Sequence, residues 1–81
     1  MPHKSIHFAG NKELTSLGRA LREARKGSGL SQETLALNAE VERSYLGAIE
    51  RGEVNVTLMV LARICAELRV KPSELMGRAG L

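Results

Sequence analysis

Aromatic residues, cysteines and long apolar runs are the scarce features of this 81-residue sequence. Phe8 and Tyr45 are its only aromatic residues, so the core must be built from aliphatic side chains. The single cysteine, Cys65, excludes an intrachain disulfide, and its apolar helical surroundings predict a small core residue. No apolar run approaches the ~20 residues of a membrane span, and no signal peptide is visible. We therefore expect a soluble, cytoplasmic protein.

Groups that could support catalysis or bind a metal are equally scarce. His3 and His7 lie in a polar N-terminal stretch and lack cysteine partners at zinc-finger spacing. The sequence has no discernible Ser/His/Asp set, no paired carboxylates in an apolar setting and no phosphate-cradling glycine loop. We therefore predict a protein that is not an enzyme and that uses no metal or cofactor.

The length and charge of the chain limit its organisation. A chain this short buries only about 60–65% of its unfolded surface, so any helper interface matters. Its formal charge of +3 permits an anionic partner, although a solvated basic surface is the simpler alternative. We predict a tail over residues 1–11, on which Ile6 and Phe8 could pack against the domain, one domain over 12–77, and a short tail over 78–81.

Hydrophobic spacing predicts an all-α fold with five helices and no strand. Asn11 is a candidate cap for a first helix that starts near Lys12 and ends at the glycines after residue 26. Ser31 and Thr57 are further caps, and Pro72 suits the first position of a helix. The later helices are predicted over about 32–38, 43–50, 58–68 and 72–76. The apolar stripes comprise Leu14, Leu17, Leu21 and Ala24 on the first helix, and Leu58, Leu61, Ile64, Cys65 and Leu68 on the fourth.

Residues 31–51, SQETLALNAEVERSYLGAIER, organise the rest of the chain. They predict two short helices joined by a tight turn. Ala36 is small enough for the two helices to cross closely, and apolar residues follow at the spacing needed to lock the second helix in place. Those apolar residues are Leu35, Val41, Leu46 and Ile49. The polar N-terminal end of the second helix is then left free to reach base edges in a major groove.

SQETLA followed by VERSYLGAIERG resembles the Cro/cI-type (XRE) helix-turn-helix domain. The phrase ERSYL-x-x-IERG is especially similar to the controller proteins of restriction–modification systems. The resemblance covers about residues 14–76. It implies a compact, five-helix, lambda-repressor-like domain with its helix-turn-helix at about 32–50, which binds operator DNA and dimerises through its C-terminal helices.

One residue departs from the family pattern. Many members carry glycine in the turn between the two helices, where this chain has Glu40. A left-handed conformation costs a non-glycine residue about 1 kcal/mol. We therefore expect a turn that is either strained or differently shaped.

The resemblance also implies roles for individual residues on the DNA surface. Arg43 is the first choice for base readout, because arginine can bond bidentately to guanine O6 and N7. Ser44 and Tyr45 are further candidates for base contact, although Tyr45 could equally cover the edge of the core. Predicted contacts to the DNA backbone are Gln32, Arg51 and Asn55.

Two further groups of charged residues are expected to have different roles. The resemblance assigns Arg25 and Glu50 to an ion pair that ties the first helix to the third, and we regard this pair as structural. Arg19, Arg22 and Lys26 are expected to form a solvated helix face, with room for one phosphate contact among them.

Apolar residues near the C-terminus exceed the obvious needs of a five-helix core. We predict that they form a two-fold dimer interface, comprising Val60, Leu68, Val70, Leu75 and Met76, with Leu81 nearby. A dimer would place two recognition helices about 34 Å apart, in successive major grooves of a palindrome.

These inferences favour a homodimeric regulator that represses and/or activates promoters by occupying a palindromic operator. Activation would add RNA polymerase as a partner, and the DNA-bound protein would associate with the nucleoid. The alternative is an antitoxin-like or other protein-interaction module with secondary DNA binding, since a fold alone does not fix function. Residues 1–11 and 79–81 offer little chain for an extended partner-binding tail, so we expect the regulator.

Overall fold

The computed structural model describes residues 10–81, and this part of the chain contains five α-helices and no β-strand. The helices are α1 (Lys12–Gly27), α2 (Gln32–Ala39), α3 (Arg43–Glu50), α4 (Leu58–Leu68) and α5 (Pro72–Arg78). The predicted all-α class is confirmed. The predictions for His3, Ile6, His7 and Phe8 lie outside the described residues.

Side-chain caps explain where the first, second and fourth helices begin. Asn11 Oδ1 accepts a hydrogen bond from the Leu14 N–H at 2.8 Å. Ser31 Oγ accepts from the Thr34 N–H at 3.0 Å, and Thr57 Oγ1 accepts from Val60 N–H at 3.2 Å. Each bond satisfies a backbone donor that has no partner within the helix. The caps predicted from the sequence are therefore present.

Left-handed residues and glycine decide where helices end. α2 continues to Ala39, one residue beyond its predicted end, because the left-handed conformation is adopted only at Glu40. α5 continues to Arg78, two residues beyond its predicted end, and Gly80 then adopts a φ of 77°. The Leu81 N–H returns to the Met76 carbonyl oxygen at 2.9 Å, which ties the last described residue to α5.

The core is aliphatic, as the shortage of aromatic residues requires. α1 packs against α3 and α5, α2 packs against α3 and α4, and α4 packs against α5. The largest fully buried side chains are Leu21, Leu35, Leu46, Ile64, Cys65 and Leu75. Burying one leucine in this way contributes about 1.5–3 kcal/mol. Burial also raises the pKa of the Cys65 thiol, which keeps this core cysteine protonated and unreactive.

Two glycines let α1 approach the end of α3 closely. A Cβ atom at Gly18 would lie 2.5 Å from the Glu50 carbonyl oxygen and would also collide with the carbonyl oxygen of Ile49. A Cβ atom at Gly52 would lie 2.6 Å from the Thr15 Cα, and Gly52 has a φ of 74°. The backbones therefore meet without intervening side chains, which fixes α1 against the C-terminal end of α3.

Three apolar residues lie elsewhere than predicted. Leu68 and Leu75 are buried in the monomer core, so they are unavailable to a partner and their assignment to a dimer interface is wrong. Leu58 is 73% exposed, whereas its helical spacing predicted burial. It occupies the first position of α4, at the rim of an open apolar groove of about 270 Å³ that Leu14, Leu61 and other residues line.

The turn between α2 and α3 resolves the question raised by Glu40. Glu40 adopts the left-handed conformation, with φ 61° and ψ 45°, and its side chain is exposed. Its N–H donates to the Leu37 carbonyl oxygen at 3.2 Å, and the Val41 N–H donates to the Ala36 carbonyl oxygen at 2.9 Å. The turn is therefore a regular helix end that holds a non-glycine residue in a strained conformation.

Replacing Glu40 by glycine should relieve this strain. We expect Glu40→Gly to raise the free energy of unfolding by about 1 kcal/mol, because glycine adopts the left-handed region without steric cost. Urea denaturation followed by circular dichroism measures the change. Arg69→Gly is a matched variant, since Arg69 ends α4 with a φ of 57°. A loss of stability in Glu40→Gly would show that its side chain contributes more than the strain costs.

Candidate nucleic-acid interface

α3 presents a polar end to solvent while its other face lies in the core. Arg43 and Ser44 are exposed in its first turn, whereas Leu46 and Ile49 are buried. The N-cap residue, Glu42, is exposed and makes no side-chain capping bond, so the first N–H groups of α3 have no side-chain cap. The arrangement suits a helix whose N-terminal side chains reach the edges of bases.

Tyr45 lies between these two environments. It is half-buried and packs against the hydrophobic core, as the alternative reading of the sequence allowed. Its neighbour one turn further along, Ala48, is also half-buried and has no donor group. Arg43 and Ser44 are consequently the polar side chains of α3 that project fully into solvent at its N-terminal end.

A buried ion pair joins α1 to the other end of α3. Arg25 Nε lies 2.7 Å from Glu50 Oε2, and Arg25 Nη2 lies 3.1 Å from Glu50 Oε1. The side chains are 10% and 1% exposed, respectively. Arg25 Nη1 also donates to the Leu30 carbonyl oxygen at 2.8 Å. This two-pronged geometry fixes both side chains and extends the link to the loop before α2.

Gln32 belongs to the same network, which the sequence analysis did not predict. Its Nε2 donates to Glu50 Oε1 at 2.9 Å. A carboxylate only accepts hydrogen bonds, so the amide nitrogen must face Glu50 and the amide oxygen must face away. Gly47 lies directly beneath, because a Cβ atom there would be 3.7 Å from the Gln32 Oε1. Glu50 therefore sets the orientation of the first side chain of α2.

Arg51 is the first residue after α3, and its side chain turns back along the helix toward Gly47. A Cβ atom at Gly47 would come within 3.1 Å of the Arg51 Nη1, so the missing side chain leaves room for this guanidinium. Arg51 Nε donates to Glu53 at 3.0 Å, and this contact with Glu53 raises the pKa of Arg51. Both side chains are exposed, so their pairing contributes little to stability.

A polar pocket of about 400 Å³ collects these groups between α1, α2 and the end of α3. Its lining residues are Arg22, Arg25, Gln32, Glu50 and Arg51. Three guanidinium groups thus face a single carboxylate, and the pocket is basic. We name it the Glu50 pocket. Arg22 is its one member for which the sequence analysis predicted an ordinary solvated position.

The structure does not gather all predicted contacts in one place. Gln32 and Arg51 share the Glu50 pocket, whereas Asn55 is exposed in the loop before α4 and lines the apolar groove beside Leu14. Arg43 and Ser44 lie at the opposite end of α3, about 12 Å along its axis from Arg51. The side chains predicted to contact DNA therefore lie in three places: the start of α3, the Glu50 pocket and the loop before α4.

Within the described residues, no group of three or more histidine, cysteine, aspartate or glutamate side chains is placed to hold a metal ion. None of the helices over residues 10–81 is long and apolar enough to cross a membrane.

Removing one partner of the buried ion pair should destabilise the domain strongly. We expect Arg25→Met to lower the free energy of unfolding by about 3–5 kcal/mol, because the Glu50 carboxylate would remain buried without its counter-charge. Urea denaturation measures this loss, and a chain with no cooperative transition would be its extreme form.

Arg78→Met provides the matched control, because Arg78 forms an exposed ion pair with Glu74 at 2.7 Å. This variant should lose at most about 1 kcal/mol. The double variant Arg25→Met, Glu50→Met should recover much of the lost stability, since no charge would then be buried. An Arg25→Met loss no greater than that of Arg78→Met would contradict the assignment.

Comparison with known proteins identifies the family. A helix-turn-helix family model matches residues 21–75. The control protein C.SmaI of Serratia marcescens is 38% identical over 81 residues, which span all of this chain and 94% of that protein. Two crystal structures are similar. The restriction-modification controller protein C.AhdI from Aeromonas hydrophila is 45% identical with a TM-score of 0.75, and the match covers 76% of this chain and 94% of that one. The clp gene regulator ClgR from C. glutamicum is 31% identical with a TM-score of 0.82, and the match covers 84% of this chain and 87% of that one. The chain therefore belongs to the Cro/cI-type (XRE) helix-turn-helix family of DNA-binding transcriptional regulators, and it is similar throughout to restriction–modification controller proteins.

Proposed function

We propose that this regulator binds a palindromic operator as a homodimer, with the first turn of α3 in the major groove of each half-site. The observation that carries the proposal is the exposure of Arg43 and Ser44 at the start of a helix whose opposite face is locked into the core. A side chain on a rigid helix can be placed accurately against a base edge. The matches to control proteins support a role in regulating the genes of a restriction–modification system.

Base readout falls mainly to Arg43. Its guanidinium has no ion-pair partner among residues 10–81, so it can approach a base without first breaking a salt bridge. A bidentate bond to guanine would discriminate by about 1–3 kcal/mol. Ser44 can donate to or accept from a neighbouring base. Tyr45, with its ring partly in the core, would add a contact with its exposed edge.

Phosphate contacts would hold the recognition helix in register. Gln32 is the first residue of α2, where the first backbone N–H groups lack acceptors within the helix and favour an anion. Arg51 is exposed beside the end of α3, and Asn55 is exposed in the loop before α4. These contacts would supply affinity without sequence information.

The exposed apolar residues support a dimer interface that differs from the one predicted. Leu58 and Met59 are 73% and 76% exposed in the first turn of α4. Leu58 lines the apolar groove, and so does Leu81, which is 49% exposed. Val56 and Met76 also line this groove. Val60, Val70 and Met76 are half-buried and retain surface for a partner. We therefore centre the interface on the start of α4 and the C-terminal residues.

Occupying an operator is enough for repression, because a bound dimer blocks the promoter. Activation would require a further contact, and RNA polymerase is the partner that such a contact would imply. Both modes of action would take place on the cytoplasmic nucleoid, where the operator lies.

Selecting bound sequences from a random oligonucleotide pool tests operator binding directly. We expect enrichment of a palindromic motif, whose half-sites would report both the base preference and the dimer. Arg43→Ala should then lose discrimination at one position of each half-site, because its guanidinium no longer rejects the wrong base. Gel-shift competition between the operator and single-base variants measures this loss.

Arg51→Ala is the contrasting variant, since a phosphate contact carries no sequence information. It should weaken binding about equally for all the operator variants and leave their order of preference unchanged. Retention of wild-type discrimination by Arg43→Ala would refute the readout assignment. Failure of the pool to enrich any motif would refute specific DNA binding itself.

A charge among the exposed apolar side chains at the start of α4 should separate the dimer. We expect Met59→Glu to shift the protein to monomers in sedimentation velocity at micromolar concentration, because two glutamates would be desolvated against apolar surface. Leu37→Glu is the matched control, since Leu37 is also 76% exposed but lies on α2. If Leu37→Glu dissociates the dimer and Met59→Glu does not, the interface lies on α2 instead.

A further inference from the structure

Arg22 occupies a position that its neighbours on α1 do not share. Arg19, Arg22 and Lys26 are all exposed cationic residues of the same helix. Of these three, the structure brings only Arg22 into the lining of the Glu50 pocket, beside Gln32 and Arg51. The three side chains that the sequence placed on one solvated face therefore differ in their surroundings.

The charges within the pocket are unequally neutralised. Arg25 is bonded to both oxygens of Glu50, so its charge is balanced inside the protein. Arg51 pairs with Glu53 at the surface. Arg22 forms no ion pair within residues 10–81, which leaves its guanidinium as the pocket's charge without a carboxylate partner.

Further donors converge on the same space. Gln32 lines the pocket and gives one amide hydrogen to Glu50, so its second amide hydrogen remains available to a ligand. Ser31 caps the Thr34 N–H, whereas the N–H groups of the preceding two residues make no bond to the backbone. The pocket thus combines a guanidinium, an oriented amide and the positive end of a helix, which together suit a phosphate oxygen.

We propose that Arg22 binds a phosphate of the operator backbone in the Glu50 pocket, together with Gln32 and Arg51. The inference rests on the proposed function, because the ligand is a phosphate of bound DNA. Glu50 acts as the positioning residue, since it holds the Gln32 amide in place. Arg22 contacts no base, because it lies on α1 beside the C-terminal end of α3. Arg43 lies at the other end of that helix. Arg22 adds affinity and fixes the register of each protomer on its half-site.

Salt dependence of operator binding gives the first test. Arg22→Gln should reduce the slope of log K against log salt concentration by about 0.9 per protomer, since one fewer counterion is released. The loss of affinity should accordingly be about threefold greater per protomer at 50 mM than at 200 mM salt. Preference among operator variants should be unchanged. Arg19→Gln and Lys26→Gln remove the same charge from α1 outside the pocket and should keep the wild-type slope.

Neutralising single phosphates locates the contact. In a series of operators with one methylphosphonate each, one position per half-site should weaken Arg22→Gln clearly less than it weakens the wild-type protein. The variant keeps only the Gln32 and Arg51 contacts to that phosphate and so has less to lose there. Arg19→Gln should respond to that position as the wild type does. If every substituted position weakens Arg22→Gln as much as the wild type, the residue contacts no phosphate and the proposal fails.

The two proposals can fail separately. A protein that binds its selected operator and depends on Arg43, but in which Arg22→Gln behaves like Arg19→Gln, would overturn the Arg22 assignment alone. A wild-type protein that enriches no operator and shows no sequence preference would overturn both. Circular dichroism of Arg22→Gln should match the wild type, because the exposed side chain stabilises no core contact.

Discussion

The bond between Arg25 and Glu50 is the contact on which the proposed DNA surface depends. Glu50 lies at the end of α3 and is almost completely buried, yet its two oxygens accept bonds from α1 and from the first residue of α2. One carboxylate thereby fixes three helices relative to one another. The close backbone approach at Gly18 places α1 near enough for Arg25 to reach it.

A buried ion pair is a costly way to hold helices together, so its role here is orientation. Well-packed apolar side chains of similar volume often give equal or greater stability. They could not orient the Gln32 amide, because only an acceptor can bind its N–H. The carboxylate therefore serves the surface as well as the fold. A change at Glu50 would therefore alter the orientation of Gln32 at the start of α2 even if the domain remained folded.

The fold could be predicted from local signals, whereas parts of the surface could not. Capping residues such as Ser31 and Thr57 act within one turn, so they locate helix starts reliably. Periodicity shows which face of a helix is apolar, but not how far a neighbouring helix covers it. Leu58 and Leu68 belong to one predicted stripe, yet Leu68 is buried and Leu58 is exposed. The bond from Gln32 to Glu50 and the place of Arg22 depend on helix crossings, which one sequence does not reveal.

The small number of candidate base contacts explains why the proposed regulator would need a dimer interface. Arg43 and Ser44 are the polar groups that project from the start of α3, and one bidentate contact discriminates by about 1–3 kcal/mol. Specific binding typically exceeds non-specific binding by about 4–10 kcal/mol. A single protomer falls short of this difference, whereas two protomers on a palindrome double the discrimination and approach it. In the proposed dimer, Leu58 and Met59 would therefore serve specificity by joining two protomers, without contacting DNA themselves. Phosphate contacts cannot replace the dimer, because they strengthen binding to every sequence equally.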